Sequence, residues 1–164
     1  MIAEAQVKTV ASFELRRATP FDHEALVEMY LDFEPKGTSL GLPPRKEPQR
    51  WLDRLTKYPN FVVLDEGRVI GHAVLCPAGD IGEVAVFVHQ DFRSRGLGKR
   101  LLSEVINEAQ RLGLRRVWGT TETDNVPMLR LAFSLGFLPG KESGEFYLDL
   151  HQREHVEVDE VSAT

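Results

Sequence analysis

The sequence predicts an α/β chain whose mixed sheet is covered by helices on both faces, and three observations predict it. Two apolar runs, "NFVVLD" and "RVIGHAVLC", flank a tight Glu66-Gly67 turn, which is the signature of an antiparallel hairpin. A third apolar run, "GEVAVFV" at 82–88, passes through a short loop into a long helical pattern and then another strand, the order of a strand–helix–strand crossover. Hairpins followed by a crossover place antiparallel and parallel neighbours in one sheet.

The elements follow in order. "SFELRRAT" (12–19) alternates and reads as a first strand. Thr19 can cap a helix, and Pro20 sits where its missing N–H costs nothing. Leu26, Val27, Tyr30 and Phe33 give that helix its apolar face. "EPKGTSLGLPPRKEP" is rich in glycine and proline and reads as a loop. A second helix spans about 47–57, with Trp51, Leu52 and Leu55 inward. After the hairpin and the 82–88 strand, Leu97, Leu101, Leu102, Val105, Ile106, Ala109 and Leu112 recur at helical spacing, and Gly113 ends the run. "RRVWGTTE" (115–122) is a strand, and Met128, Leu131, Ala132 and Leu135 mark a helix that stops at Gly136. "FLPGKESGEFYLDL" closes the chain with a strand pair.

The totals bound the function classes. A chain of 164 residues suits one domain, here 12–150, between an N-terminal extension (1–11) and an acidic tail (151–164). Apolar content of 42% and charged content of 27% describe an ordinary globular protein. A net charge of −5 disfavours nucleic-acid binding through a basic surface, but not a local basic pocket. Cys76 is the only cysteine, so there is no internal disulfide and no cysteine-based metal site; a reducing, cytoplasmic setting fits. No apolar run approaches the ~18 residues of a membrane span, and the first residues lack the basic-then-apolar order of a signal peptide. The five histidines show no metal-ligand spacing, and none is expected to bind a metal.

The turn before the third helix carries the chemistry. In "RSRGLG", Arg93, Ser94, Arg95, Gly96, Leu97 and Gly98 join a strand to a helix. The first turn of a helix has N–H groups without internal partners and the positive end of the helix dipole. Glycines let an anion approach that backbone, and Lys99 and Arg100 add charge beside it. A phosphate or pyrophosphate is the natural ligand; the plain alternative is a capped helix with solvated cations. No "GxxxxGK[ST]" loop occurs, and the first glycine of GxGxxG is missing.

Arg-x-x-Gly-x-Gly after an apolar strand resembles the acyl-CoA pyrophosphate motif of the GNAT acetyltransferases. "DNVPMLRLAFSLGF" resembles the second half of that pattern, in which an asparagine, here Asn125, opens a helix ending in Leu135-Gly136-Phe137. The resemblance covers roughly 12–150. It implies a sheet whose two central strands splay apart around acetyl-CoA. The pantetheine would pair with the backbone of Ala85, Val86, Phe87 and Val88, and the pyrophosphate would sit on the amides of 93–98. Asn125 would cap its helix or touch the cofactor. Ser94 and Gln90 stand where many members carry glycine and proline, and neither change removes a backbone donor. Within the family the sequence looks most like the bacterial protein-lysine acetyltransferase branch, whose members modify enzymes such as acyl-CoA synthetases.

Alternation places Glu83, Ala85 and Phe87 on one strand face and Val84, Val86 and Val88 on the other. An acid in so apolar a strand is either a solvated strand-end carboxylate, free or paired to an arginine, or a functional group. Lysine amines are protonated at neutral pH, so acetyl transfer needs a base. The resemblance implies that Glu83 is that base, that a strand N–H near Val86 stabilises the developing oxyanion, and that no acyl-enzyme forms. Many members place a tyrosine where this chain has Ala132, so a leaving-group acid is missing; Tyr30, Tyr58 and Tyr147 remain open substitutes. Cys76 reads as a small buried hydrophobe at a strand end, His72 as a structural or cleft-wall residue, and Trp51 and Trp118 as core. Phe33, Glu34 and Lys36 are expected to overhang the acceptor. Three functions stay open: protein-lysine acetyltransferase, small-amine acetyltransferase, and non-catalytic acyl-CoA sensor, in a monomer or homodimer.

Overall fold

The computed structural model describes residues 12–37 and 43–150. The expected extension (1–11), the expected tail (151–164) and the middle of the 34–48 loop lie outside the described residues. The elements are β1 (Glu14–Arg17), α1 (His23–Asp32), α2 (Pro48–Leu55), β2 (Asn60–Asp65), β3 (Arg68–Ala78), β4 (Ile81–Val88), α3 (Leu97–Arg111), β5 (Arg116–Thr120), α4 (Val126–Ser134), β6 (Leu138–Pro139) and β7 (Glu145–Asp149). They form one seven-stranded mixed sheet in the order β1-β2-β3-β4-β5-β7-β6.

Local chemistry explains most of the boundaries. Glu66 and Gly67 both have positive φ, the conformation that lets a two-residue turn follow the twist of β2 and β3. Strand β3 runs on through Pro77, so Cys76 lies inside the strand and half-buried rather than at its end. Before α1, Pro20–Asp22 form a single 3-10 turn. There the Asp22 carboxylate accepts the Thr19 backbone N–H at 2.7 Å, so the aspartate, not the threonine hydroxyl, holds the helix entrance. The same carboxylate accepts two hydrogen bonds from Arg16, at 2.7 and 2.8 Å. Helix α3 ends at Gly113 in the left-handed conformation, whose N–H bonds back to Gln110.

The sheet is apolar on both faces because each face carries two helices. Phe61 and Val63 of β2 join Leu97, Leu101, Leu102 and Val105 of α3 in one core. Val62 and Leu64 of the same strand point the other way, onto Leu26, Met29, Tyr30 and Leu52 of α1 and α2. Trp51 and Trp118 are half-buried rather than fully enclosed.

The feature that positions the site is the junction of β4 and β5. These parallel neighbours pair only at Ile81–Arg116, Gly82–Val117 and Glu83–Trp118. Beyond Glu83 the strands diverge: β4 continues against β3 as far as Val88, while β5 continues against β7. Gly119 sits at the point of divergence. A Cβ there would come within 2.7 Å of the Phe146 ring and 3.1 Å of the Val84 carbonyl oxygen, so only glycine lets β5 pass between them.

Candidate active site

Where the strands part, a cleft of about 700 Å³ opens. One wall is the end of β4, with Val86, Phe87 and Val88. The floor is the turn into α3, with Arg93, Ser94, Gly96, Leu97, Gly98 and Lys99. Asn125 and Met128 at the start of α4 form the second wall, and Phe33 and Pro35 from the loop after α1 close the side.

The turn has the backbone chemistry to receive an anion. Ser94 (φ 62°) and Gly96 (φ 78°) are both in the left-handed region, which turns neighbouring N–H groups toward a common point. Gly96 caps α3 without a side-chain hydrogen bond, and the first helical bond runs from the Arg100 N–H to the Gly96 carbonyl. The amides of Leu97, Gly98 and Lys99 therefore have no partner within the helix, and the α3 dipole reinforces them. Gly98 also lets α4 approach: a Cβ there would meet Leu131 at 3.1 Å.

Two of the expected cofactor residues stand outside the cleft lining. Ala85 packs against the α1–α2 core, and the Arg95 guanidinium lies over the Phe92 ring at 5.4 Å. Arg93 lines the cleft, but its side chain is engaged by protein carbonyls: Nε donates to Val88 at 2.9 Å and Nη2 to Glu34 at 2.5 Å. Asn125 acts as a helix cap, accepting the Met128 N–H at 3.3 Å, while its amide donates to Thr121 Oγ1 at 2.9 Å. The sequence reading missed Thr121, Glu122, Asp124 and Phe92 in the lining. Their only sequence signal is proximity to the two motifs, because strand divergence rather than local pattern brings them in.

Glu83 is the last residue of β4 paired to β5, with Cys76 opposite it in β3 and Trp118 in β5. Paired residues share a sheet face, so its carboxylate lies on the α1–α2 side, in line with Ala85 and Phe87. Partial desolvation raises its pKa. Among the described residues no arginine or lysine pairs with it. Burial, with Glu83 nearby, pushes the Cys76 thiol up to about 11, so it is not a thiolate at neutral pH.

The tyrosines differ in availability. Tyr30 is fully buried, and its hydroxyl lies 2.6 Å from His72 Nδ1. His72 Nε2 lies 2.7 Å from Asn60 Oδ1. Asn60 spends its amide hydrogens on the Leu55 and Tyr58 carbonyls, so its oxygen accepts from Nε2–H and Nδ1 accepts from Tyr30. Burial holds His72 neutral, with a pKa of about 3. This chain ties α1 to β2 and β3 and leaves Tyr30 no proton to give elsewhere. The His72 ring also stacks on Phe87, a cleft residue, at 6.4 Å. Among the described residues no cluster of three or more histidine, cysteine or carboxylate side chains could hold a metal.

A mixed sheet that parts over an amide-lined turn defines an α/β protein with a cleft between two parallel strands. The chain belongs to the acetyltransferase (GNAT) family, whose sequence profile it matches over residues 23–137. An L-methionine sulfoximine/L-methionine sulfone acetyltransferase of Salmonella typhimurium is 36% identical over 93 residues, 51% of this chain and 53% of that protein. An amino-acid acetyltransferase of Yersinia pseudotuberculosis is 30% identical over 119 residues, 71% of this chain and 26% of that protein. The matches thus span about half the length of the first relative and about a quarter of the second. In structure, a GNAT superfamily phosphinothricin acetyltransferase from Sinorhizobium meliloti, solved with AcCoA, superposes with a TM-score of 0.72 at 21% identity, covering 93% of this chain and 100% of that one; it shows the shared fold.

Proposed function

We propose that the protein transfers an acetyl group from acetyl-CoA directly to a primary amine, most specifically a protein lysine. The observation that carries this reading is the divergence of β4 and β5 immediately after Glu83, which frees the β4 edge leading to the amide-lined turn, with Glu83 itself just outside the cleft lining. The two ends of one cleft then have different tasks. The N-terminal amides of α3, with Lys99, suit a pyrophosphate. The edge of β4 at Val86–Val88 that β5 leaves unpaired, apart from the Val88 carbonyl held by Arg93, suits a slender arm carrying amides, because strand N–H and C=O groups seek partners. Acetyl-CoA, when bound, supplies the activated thioester carbonyl.

Glu83 removes the proton of the acceptor ammonium, directly or through water, and frees the nitrogen lone pair for attack. A raised carboxylate pKa brings it closer to that task, since a general base works best near the operating pH. A strand N–H near Val86 holds the negative charge that develops on the carbonyl oxygen. The nitrogen–carbon bond forms first; the carbon–sulfur bond then breaks with its electron pair on sulfur, and the second proton that nitrogen loses as the amide forms passes to the departing thiolate or to water. A thiol pKa of about 8.5 lets the thiolate depart without a dedicated acid, consistent with Ala132 being buried and Tyr30 being hydrogen-bonded to His72.

The neighbours of Glu83 favour an amine without a carboxylate close by. On the same sheet face, Arg116 is committed to Asp149 at 2.6 Å and stacks on Tyr147 at 4.3 Å. Trp118 and Tyr147 present aromatic surface, which suits an ammonium or an alkyl stem. A second reading, transfer to a free amino acid, is favoured by the printed activities of the two sequence relatives. One experiment decides. The full chain is incubated with acetyl-CoA and either a lysate lacking its gene or a panel of free amino acids, and products are read by mass spectrometry. Site-selective lysine acetylation supports the protein reading, acetylated amino acids alone support the second, and tight CoA binding without any product leaves only a sensor.

A further inference from the structure

The loop after α1 is held by one short stretch of chain beside the phosphate turn. His89 is buried; its Nδ1 accepts the Asp91 N–H at 3.2 Å, which leaves the proton on Nε2 to donate to Asp32 Oδ2 at 2.7 Å. Gln90 reads the same loop from both ends of its amide. Its Nε2 donates to the Asp32 carbonyl at 2.6 Å, and its Oε1 accepts the Glu34 N–H at 3.0 Å. A flipped amide would set donor against donor, so the arrangement has one orientation. Arg93 completes the set by donating to the Glu34 and Val88 carbonyls, with its guanidinium 5.2 Å from the centre of the Phe33 ring. Both segments so joined border the cleft: Phe33 and Pro35 on one side, Val88 and Arg93 on the other.

We propose that His89, Gln90 and Arg93 form a latch through which occupancy of the phosphate turn orders the 33–37 segment, with Gln90 as a positioning residue for the amine acceptor. Arg93 is bonded in sequence to Ser94, whose left-handed backbone is part of the anion cradle. An anion that fixes the turn also fixes the 89–93 stretch leading into it and, through the Gln90 amide together with the Arg93 side chain, Asp32 and Glu34. Ordering already supplied by one ligand need not be supplied again by the second, which is cooperativity without a large movement. By reciprocity, an acceptor that grips this segment tightens CoA by the same factor. The proposal rests on acetyl-CoA occupying the cleft, and it adds a route between the two substrates.

The test needs no known acceptor. Amide hydrogen exchange of the full chain is followed by mass spectrometry with and without saturating CoA. The expected result is slowing of Glu34, Lys36 and Gly37 by about 5-fold or more in the wild type. In Gln90→Ala, CoA is expected to bind with affinity within about 3-fold of wild type while that slowing disappears. Gln90→Glu, which keeps the acceptor for the Glu34 N–H and loses the donor to Asp32, should fall between them. Gln90→Ser serves in place of alanine if the alanine variant is unstable. Unchanged exchange at these amides on CoA binding to wild type overturns the latch, as does slowing that survives in Gln90→Ala or, where that variant is unstable, in Gln90→Ser. Failure of wild type to bind CoA overturns the proposed function as well, so the two failures are distinguishable.

Discussion

Glu83 has an apolar strand behind it, an aromatic neighbour across β5 and no cationic partner among the described residues. Replacing it with glutamine keeps the shape and removes the basicity. Glu83→Gln should lower turnover by roughly 10²–10⁴ at neutral pH with CoA affinity unchanged, which steady-state kinetics beside calorimetry would check. Because desolvation raises its pKa, the acidic limb of kcat/KM should lie above the ordinary glutamate range, and the variant should lose that limb. Asp22 titrates the opposite way. Hydrogen bonds from Arg16 hold its pKa at about 2, below its value of 3.8 in an unfolded chain. Its stabilisation, about 2 kcal/mol, is full above about pH 4 and is lost as pH falls through the folded value. Urea midpoints between pH 5 and pH 2 should fall more steeply in wild type than in Asp22→Asn. At this scale the sequence showed which residues carry charge and on which strand face they lie. It did not show the Arg93 side chain turning to Glu34, because that partner is 59 residues away.

Elements were legible wherever their signals are local. The strand–helix order follows from period-two and period-3.6 patterns, and the stops at Gly113 and Gly136 from left-handed caps. Boundaries moved where a side chain chose between two tasks, as at Thr19 and Asp22. Strand β6 shrank to Leu138–Pro139, since proline offers no N–H to extend a ladder. Two substitutions test the packing. Gly119→Ala drives a methyl into the Phe146 ring and the Val84 carbonyl, and should lower the thermal midpoint by several degrees. Gly96→Glu sets a charged side chain at a left-handed position in the anion cradle. It should abolish CoA binding as read by calorimetry, while circular dichroism shows the fold retained.

The whole molecule is where the sequence was least explicit. Nothing in "GEVAVFV" or "RRVWGTTE" states how far two parallel strands travel together, since that distance is set by what packs behind each of them. Once they part, residues 35, 92 and 124 from three different loops meet around one space. A ligand held by this space and not by the unfolded chain adds stability by mass action. At 100 times its dissociation constant, CoA should stabilise the protein by about 2.7 kcal/mol, measurable as a rise in thermal midpoint.

A bare β-edge is ordinarily a hazard, because any extended polypeptide can add to it and begin an aggregate. The bare edge of β4 escapes this by its location. It lies in a slot between α4 on one side and the loop after α1 on the other, with the helix entrance closing the end. A pleated chain brings side chains on both faces and needs room for them in that slot, whereas a thread one atom thick brings none. Enclosure by helix and loop thus lets the protein keep an adhesive seam without displaying it on an open sheet edge.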